Sequence, residues 1–136
     1  MTAETYIKAH LAALAHREAG HCGGVNNMLA VAFVVRNRQR AGWRGGNWME
    51  LIASHDEYSA WLHPATTPDL RELNFRILLQ QIDDVFSGLA GDKMTEGALY
   101  YCELNRVERA WFKENVLHDA TSHPRVAQVG NVSFFL

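Results

Sequence analysis

The chain has two cysteines and three prolines in 136 residues, and each scarcity narrows what it can be. Cys22 and Cys102 stand 80 positions apart in no local motif. They make neither a disulfide framework nor, without histidines, a zinc site. Two separate reduced thiols are the expectation, as in a cytosolic chain. Basic excess is missing too. Thirteen Lys+Arg face fifteen Asp+Glu, a formal charge of -2, which leaves no global field for nucleic acid or an anionic membrane. No apolar run approaches the ~20 residues of a membrane helix. The opening residues, Met1 to Lys8, contain no long apolar stretch. A secretory signal is therefore not expected, and the chain reads as cytoplasmic as synthesised. No repeat, low-complexity tract or block of like charge divides it. The remaining composition, 48% hydrophobic and 21% charged, is that of a soluble globular protein of a size that builds one core. Residues 1–136 are read as one domain.

Periodicity sets the elements. Ile7, Leu11 and Leu14 follow one helical face and predict a helix over 3–22, ended by Gly23 and Gly24. A second helix is expected from Asn26 or Asn27, as its cap, to about Ala41. From Met28 to Val35 it is apolar almost all round, which marks a central buried helix. Its last turn carries Arg36, Arg38 and Arg40, where the helix dipole favours cations. Gly42, Gly45 and Gly46 make a loop carrying Trp43 and Arg44, followed by a short helix over 47–54 and a loop with two prolines over 55–69. A long amphipathic helix is predicted over 69–89, with Leu70, Leu73, Ile77, Leu78, Ile82, Val85, Phe86 and Leu89 as its stripe. After a turn over 91–97, two β-prone runs, 98–102 and 132–135, are expected to pair. The segment 106–117, with Trp111, reads equally as helix or loop. The class is mainly α (α+β), with a small antiparallel β element in the C-terminal half.

One residue is out of place. Glu18 lies eleven positions after Ile7, and at about 100° per residue that brings it almost directly in line with Ile7. A carboxylate thus occupies the face that should enter the core, beside a glycine pair and near a helix C-terminus, where the dipole disfavours an anion. Removal from water there favours the protonated form, which a general acid requires. The structural alternative is a terminal-turn Glu that reaches solvent or pairs with Arg17 or Arg38.

Glu18-Ala19-Gly20, followed by the run Leu29 to Val35 and Asn37-Arg38, resembles the opening of the SleB-type cell-wall hydrolases, the spore-cortex lytic enzymes and their relatives. The likeness continues in order through Tyr58-Ser59, the block from Asp92 through Thr95 and Gly97 to Tyr101, then Trp111, and the closing Val129-Gly130-Asn131 with Phe134-Phe135. It covers about residues 10 to 136. The resemblance implies a lysozyme-like core and cleavage of peptidoglycan between N-acetylmuramic acid and N-acetylglucosamine, by the one-acid chemistry of a lytic transglycosylase. Carried over by position, Glu18 is the acid/base. The sequence departs from the family pattern at His21-Cys22, where a second acid is common, and at Val132, which replaces a histidine. Glu57, an extra carboxylate before Tyr58, is a candidate second catalytic group that would turn the reaction to lysozyme-type hydrolysis. A non-catalytic glycan-binding or phage structural module is the further alternative.

Tyr58, Ser59, Tyr101, Trp111 and Asn131 are the candidate substrate-binding residues. The aromatics offer faces for sugar rings, and Ser59 and Asn131 are small polar groups for the reacting sugar. Strand alternation sets Tyr100 and Tyr101 on opposite faces, with Tyr101 the one assigned to the groove. Asn37 and Arg38 are expected to hold the helix end and the Glu18 loop. His16 and His21, five apart, miss the i, i+4 spacing of a helical zinc pair, so no metal and no cofactor are expected. Arg36, Arg38, Arg40 and Arg44 with Trp43 form a basic cluster, but on an acidic chain they do not argue for nucleic acid. The expected partner is the peptidoglycan strand, bound by a monomer that does not insert into membranes. A catalytic unit without an export signal fits a phage endolysin that reaches the wall after release.

Overall fold

A computed structural model describes residues 2–19, 24–53, 73–87, 92–104 and 110–136. Four helices, α1 (Ala3–Ala19), α2 (Val25–Arg40), α3 (Trp48–Ile52) and α4 (Leu73–Ser87), precede a three-stranded antiparallel sheet. The strands are β1 (Tyr100–Glu103), β2 (Arg125–Val129) and β3 (Val132–Phe135), in the order β1-β3-β2. The described part is thus mainly helical with a small sheet in the C-terminal half, an α+β class. Among the described residues no helix is long and apolar enough to cross a membrane.

The all-round apolarity of α2 has a direct consequence. Met28, Val31, Ala32 and Val35 join Leu11, Leu14 and Ala15 of α1 and Leu78, Ile82 and Val85 of α4 in one core. Ala30 and Val34, on the other side, pack with Ala98, just before β1, and with Val132 and Phe134 of β3. A helix covered on both sides has no face left for polar residues.

Contacts between the helices fix their directions. Lys8 Nζ lies 2.6 Å from Asp83 Oδ1, joining the start of α1 to the end of α4. His16 sits edge-on to Phe75 with centroids 5.3 Å apart, joining the end of α1 to the start of α4. Lys8 also lies 5.4 Å from the Phe86 centroid, and Phe86 stacks on Trp48 of α3 at 5.0 Å. Because α3 follows directly after the turn that leaves α2, the start of α1 lies near the end of α2. The two helices therefore run antiparallel, as a short connection favours.

The structure departs from expectation at several points. The N-cap of α2 is Gly24, with no side-chain cap, rather than Asn26 or Asn27. Asn27 is buried in the first turn, and its Nδ2 donates to Val129 O at 2.9 Å, so the side chain is taken by a tertiary contact. On α4 the buried positions are Phe75, Leu78, Ile82 and Val85, and Leu73 is 66% exposed. Five residues turn the helix by about 140° between Leu73 and Leu78, while Phe75 falls within about 60° of Leu78. Leu70 and Leu89 lie outside the described residues. The expected pairing of 98–102 with 132–135 is present as β1 on β3, with Tyr101 opposite Phe134 and Cys102 opposite Ser133. The strand β2 was not expected; it reaches β3 through the two-residue turn Gly130-Asn131. The 106–117 segment is helical over Ala110–Phe112 and continues as a π turn over Lys113–Leu117. α1 extends to Ala19, and positions 20–23 of its expected C-terminal end lie outside the described residues.

Candidate functional site

Glu18 sits in the last turn of α1 and is 9% exposed, because its helical face continues from the buried Leu11 and Leu14. The start of α2 lies at the same end of the helix pair. There the β2–β3 turn is tied down, because Asn27 of α2 holds Val129 O. Asn131, exposed at the tip of that turn, is thereby brought to the Glu18 end. Gly130 adopts φ +56°, and a Cβ on it would meet Asn27 Nδ2 at 3.2 Å. Gly130→Ala is accordingly expected to cost about 1–2 kcal/mol in urea unfolding, against under about 0.5 kcal/mol for Asn131→Ala at the exposed neighbour. Equal costs would mean that the tip is not packed as described.

The aromatic candidates part company. Tyr101 is half-buried and packs against both cores, its ring 6.2 Å from Phe134. Tyr100, on the opposite face, meets Trp43 at 5.6 Å, Phe112 at 6.3 Å, His123 at 5.0 Å and Trp111 at 6.3 Å. The alternation expected of the strand is there. Leu99, the residue before Tyr100, accepts a 2.7 Å bond from Arg38 Nε near the end of α2. Asn27 and Arg38 are eleven residues apart on α2, or about 16 Å along its axis at 1.5 Å per residue. The structure therefore places Glu18 and Asn131 at one end of α2 and Trp111 with Tyr100 at the other. Trp111 does not join Glu18 in one cluster. Glu57, Tyr58 and Ser59 lie outside the described residues, as do His21 and Cys22.

Asn37 and Arg38 hold the end of α2, as expected, and among the described residues they do so through Asp92, Ala98 and Leu99, while the loop after Glu18 lies outside the described residues. Asn37 Nδ2 donates to Asp92 Oδ2 at 2.8 Å and to Ala98 O at 3.0 Å. Asp92 also accepts from Thr95 N at 2.8 Å, from Gly97 N at 3.0 Å and from the Thr95 hydroxyl. Thr95 is wholly buried. The Asp92-to-Ala98 block thus works as a clasp between α2 and β1. Its Asp-x-x-Thr spacing, in which a side-chain oxygen caps the backbone N–H three residues on, was the signal available in the sequence. Arg38 completes the join, its guanidinium 4.6 Å from the Trp43 centroid.

Cys102 is a free, half-buried thiol in β1. Burial, with Glu103 beside it, pushes its pKa from the ordinary 9.0 up to about 11. Only the thiolate attacks disulfide reagents. In a Cys22→Ser background, labelling of Cys102 at pH 8 is expected to run about 100-fold slower in the folded protein than in urea. Equal rates would show the thiol to be open. Among the described residues no group of three or more His, Cys, Asp or Glu is placed to hold a metal ion.

Comparison with family models, with curated proteins and with solved structures gave no match.

Proposed function

We propose that the protein cleaves the glycan strand of peptidoglycan between N-acetylmuramic acid and N-acetylglucosamine, with Glu18 as its one acid/base, on a lysozyme-like core. The observation that carries the reading is the burial of Glu18 at the end of a core helix, 9% exposed. Removing a carboxyl from water disfavours its ionised form, and a general acid has to start protonated. An anion near a helix C-terminus is also unfavourable for the helix itself, so helix stability does not account for the choice.

In the proposed reaction the Glu18 carboxyl gives its proton to the glycosidic oxygen as the bond to the muramic anomeric carbon breaks. The carboxylate so formed takes the proton of the muramic 6-hydroxyl, whose oxygen closes on the same anomeric carbon. A 1,6-anhydro sugar and a free N-acetylglucosamine hydroxyl result, no water is consumed, and Glu18 regains its proton. Asn131, at the same end, supplies an amide to hold the reacting sugar. The sequence likeness to the SleB-type enzymes, running in order over most of the chain, supports the same substrate. A phage endolysin is the biological setting this fits.

The test is mass spectrometry of products released from purified sacculi, with Glu18→Gln alongside. Anhydro-muropeptides that vanish in the variant are expected. Reducing-end products would move the mechanism to hydrolysis and make Glu57 the next residue to change. No soluble product from well-folded protein would leave a glycan-binding or structural module as the reading.

A further inference from the structure

We infer that Trp111 is the stacking face of a second carbohydrate site, remote from Glu18, at which a further ring of the same glycan strand docks; this rests on the proposed substrate. Trp111 is 59% exposed, on a backbone turn that is tied down and with a second aromatic beside it. Asn115 Nδ2 donates to its carbonyl at 2.9 Å, and the Tyr100 ring stands behind it at 6.3 Å. Tyr100 is itself clasped by Trp43 and His123. A ring with an aromatic neighbour on one side has less freedom to lose when a ligand covers the other.

The chemistry around the ring selects the occupant. The face of an indole is electron-rich, and one face of a pyranose presents C–H groups that are slightly positive, while its edge carries hydroxyls. Lys113, Glu114 and Asn115, all exposed beside Trp111, offer hydrogen bonds of both senses and opposite charges. A neutral, hydroxyl-rich ligand fits that rim better than an ion. A protein partner fits poorly, because one large aromatic side chain offers at most about 150–250 Å², against the ~800 Å² that each side of a stable complex buries. The distance also suits a polymer. Asn27 and Arg38 mark ends of α2 about 16 Å apart, so the platform is separate from the cleaved bond, and a strand that spans both has to be several rings long. Its contribution then arises through effective concentration and is confined to long strands.

The experiment uses the Glu18→Gln protein with the soluble tetramer of N-acetylglucosamine and with purified sacculi. Backbone amide shifts are followed by NMR during the tetramer titration, and sacculus binding is measured for Glu18→Gln alone and with Trp111→Ala or Trp111→Phe. We expect shifts over 110–117. Sacculus binding should weaken about tenfold with Trp111→Ala and stay within about threefold with Trp111→Phe, which keeps a π face. Trp111→Ala alone should raise KM on sacculi. Shifts absent from 110–117, or sacculus binding unchanged by Trp111→Ala, overturn the site. Failure of the cleavage reading appears elsewhere, as wild-type protein that releases no product, and the 110–117 shifts still decide the platform in that case.

Discussion

Glu18→Gln is expected to lower the release of soluble muropeptides from sacculi by about 10³-fold or more. General acid–base assistance contributes ~10²–10⁴-fold, and in one-acid chemistry a single group serves both half-reactions. The amide keeps the size of the side chain and its place in the last turn of α1, where Glu18 is 9% exposed, but it cannot give up the proton. Glu18→Asp is the sharper companion. It keeps the acid but withdraws it by one methylene, about 1.5 Å, and misplacement on the order of 1 Å costs ~10²-fold in a positioned reaction. The expected order of rates is wild type, then Asp, then Gln. Both variants should keep the urea midpoint close to that of wild type, which separates a chemical loss from an unfolded protein. Gln and wild type releasing product at equal rates would remove Glu18 from the reaction.

The legibility of the chain followed the strength of its local signals. α1 and α2 were readable because Ala-rich spacing and an all-round apolar run leave few alternatives, and β1 with β3 because aromatic and β-branched residues cluster at both. β2 was not, since Arg125-Val-Ala-Gln-Val129 has only two strong β formers and sits between Pro124 and Gly130, so its pairing is a tertiary outcome. The burial of Glu18 followed from its angular position alone. The relation of Glu18 to Trp111 could not, because periodicity sets faces on one helix and says nothing of which end of α2 each distant segment reaches. The same limit explains Asn37 and Arg38. Their place at a helix end was visible, but their partners, Asp92 and the Leu99 carbonyl, lie 55 and 61 residues away.

Asp92→Ala should be among the most destabilising single changes in the polar part of the molecule, by about 3 kcal/mol in urea unfolding. Its carboxylate accepts from Asn37, from the backbone N–H of Thr95 and Gly97, and from the Thr95 hydroxyl. The Asn37 donor is half-buried and Thr95 is wholly buried, while the Gly97 N–H is exposed, and alanine leaves the two less exposed residues without this acceptor. The same bonds set a pH dependence. Burial by itself would raise the Asp92 pKa, but the bonds from Asn37, Thr95 and Gly97 outweigh it and hold the group below its ordinary 3.8. A carboxylate depressed on folding stabilises fully above the unfolded value, and that stability is lost as pH falls through the folded one. The stability gap between wild type and Asp92→Asn should therefore be wide and constant from pH 7 to about pH 5, then narrow as pH falls below the ordinary value of 3.8. Asparagine still costs stability at neutral pH, because both carboxylate oxygens accept hydrogen bonds and its NH₂ turns one of those positions into a second donor. Urea titrations of the two proteins at pH 7 and pH 3 decide the matter. A gap of the same width at both pH values would mean that the clasp between α2 and β1 does not depend on the Asp92 charge.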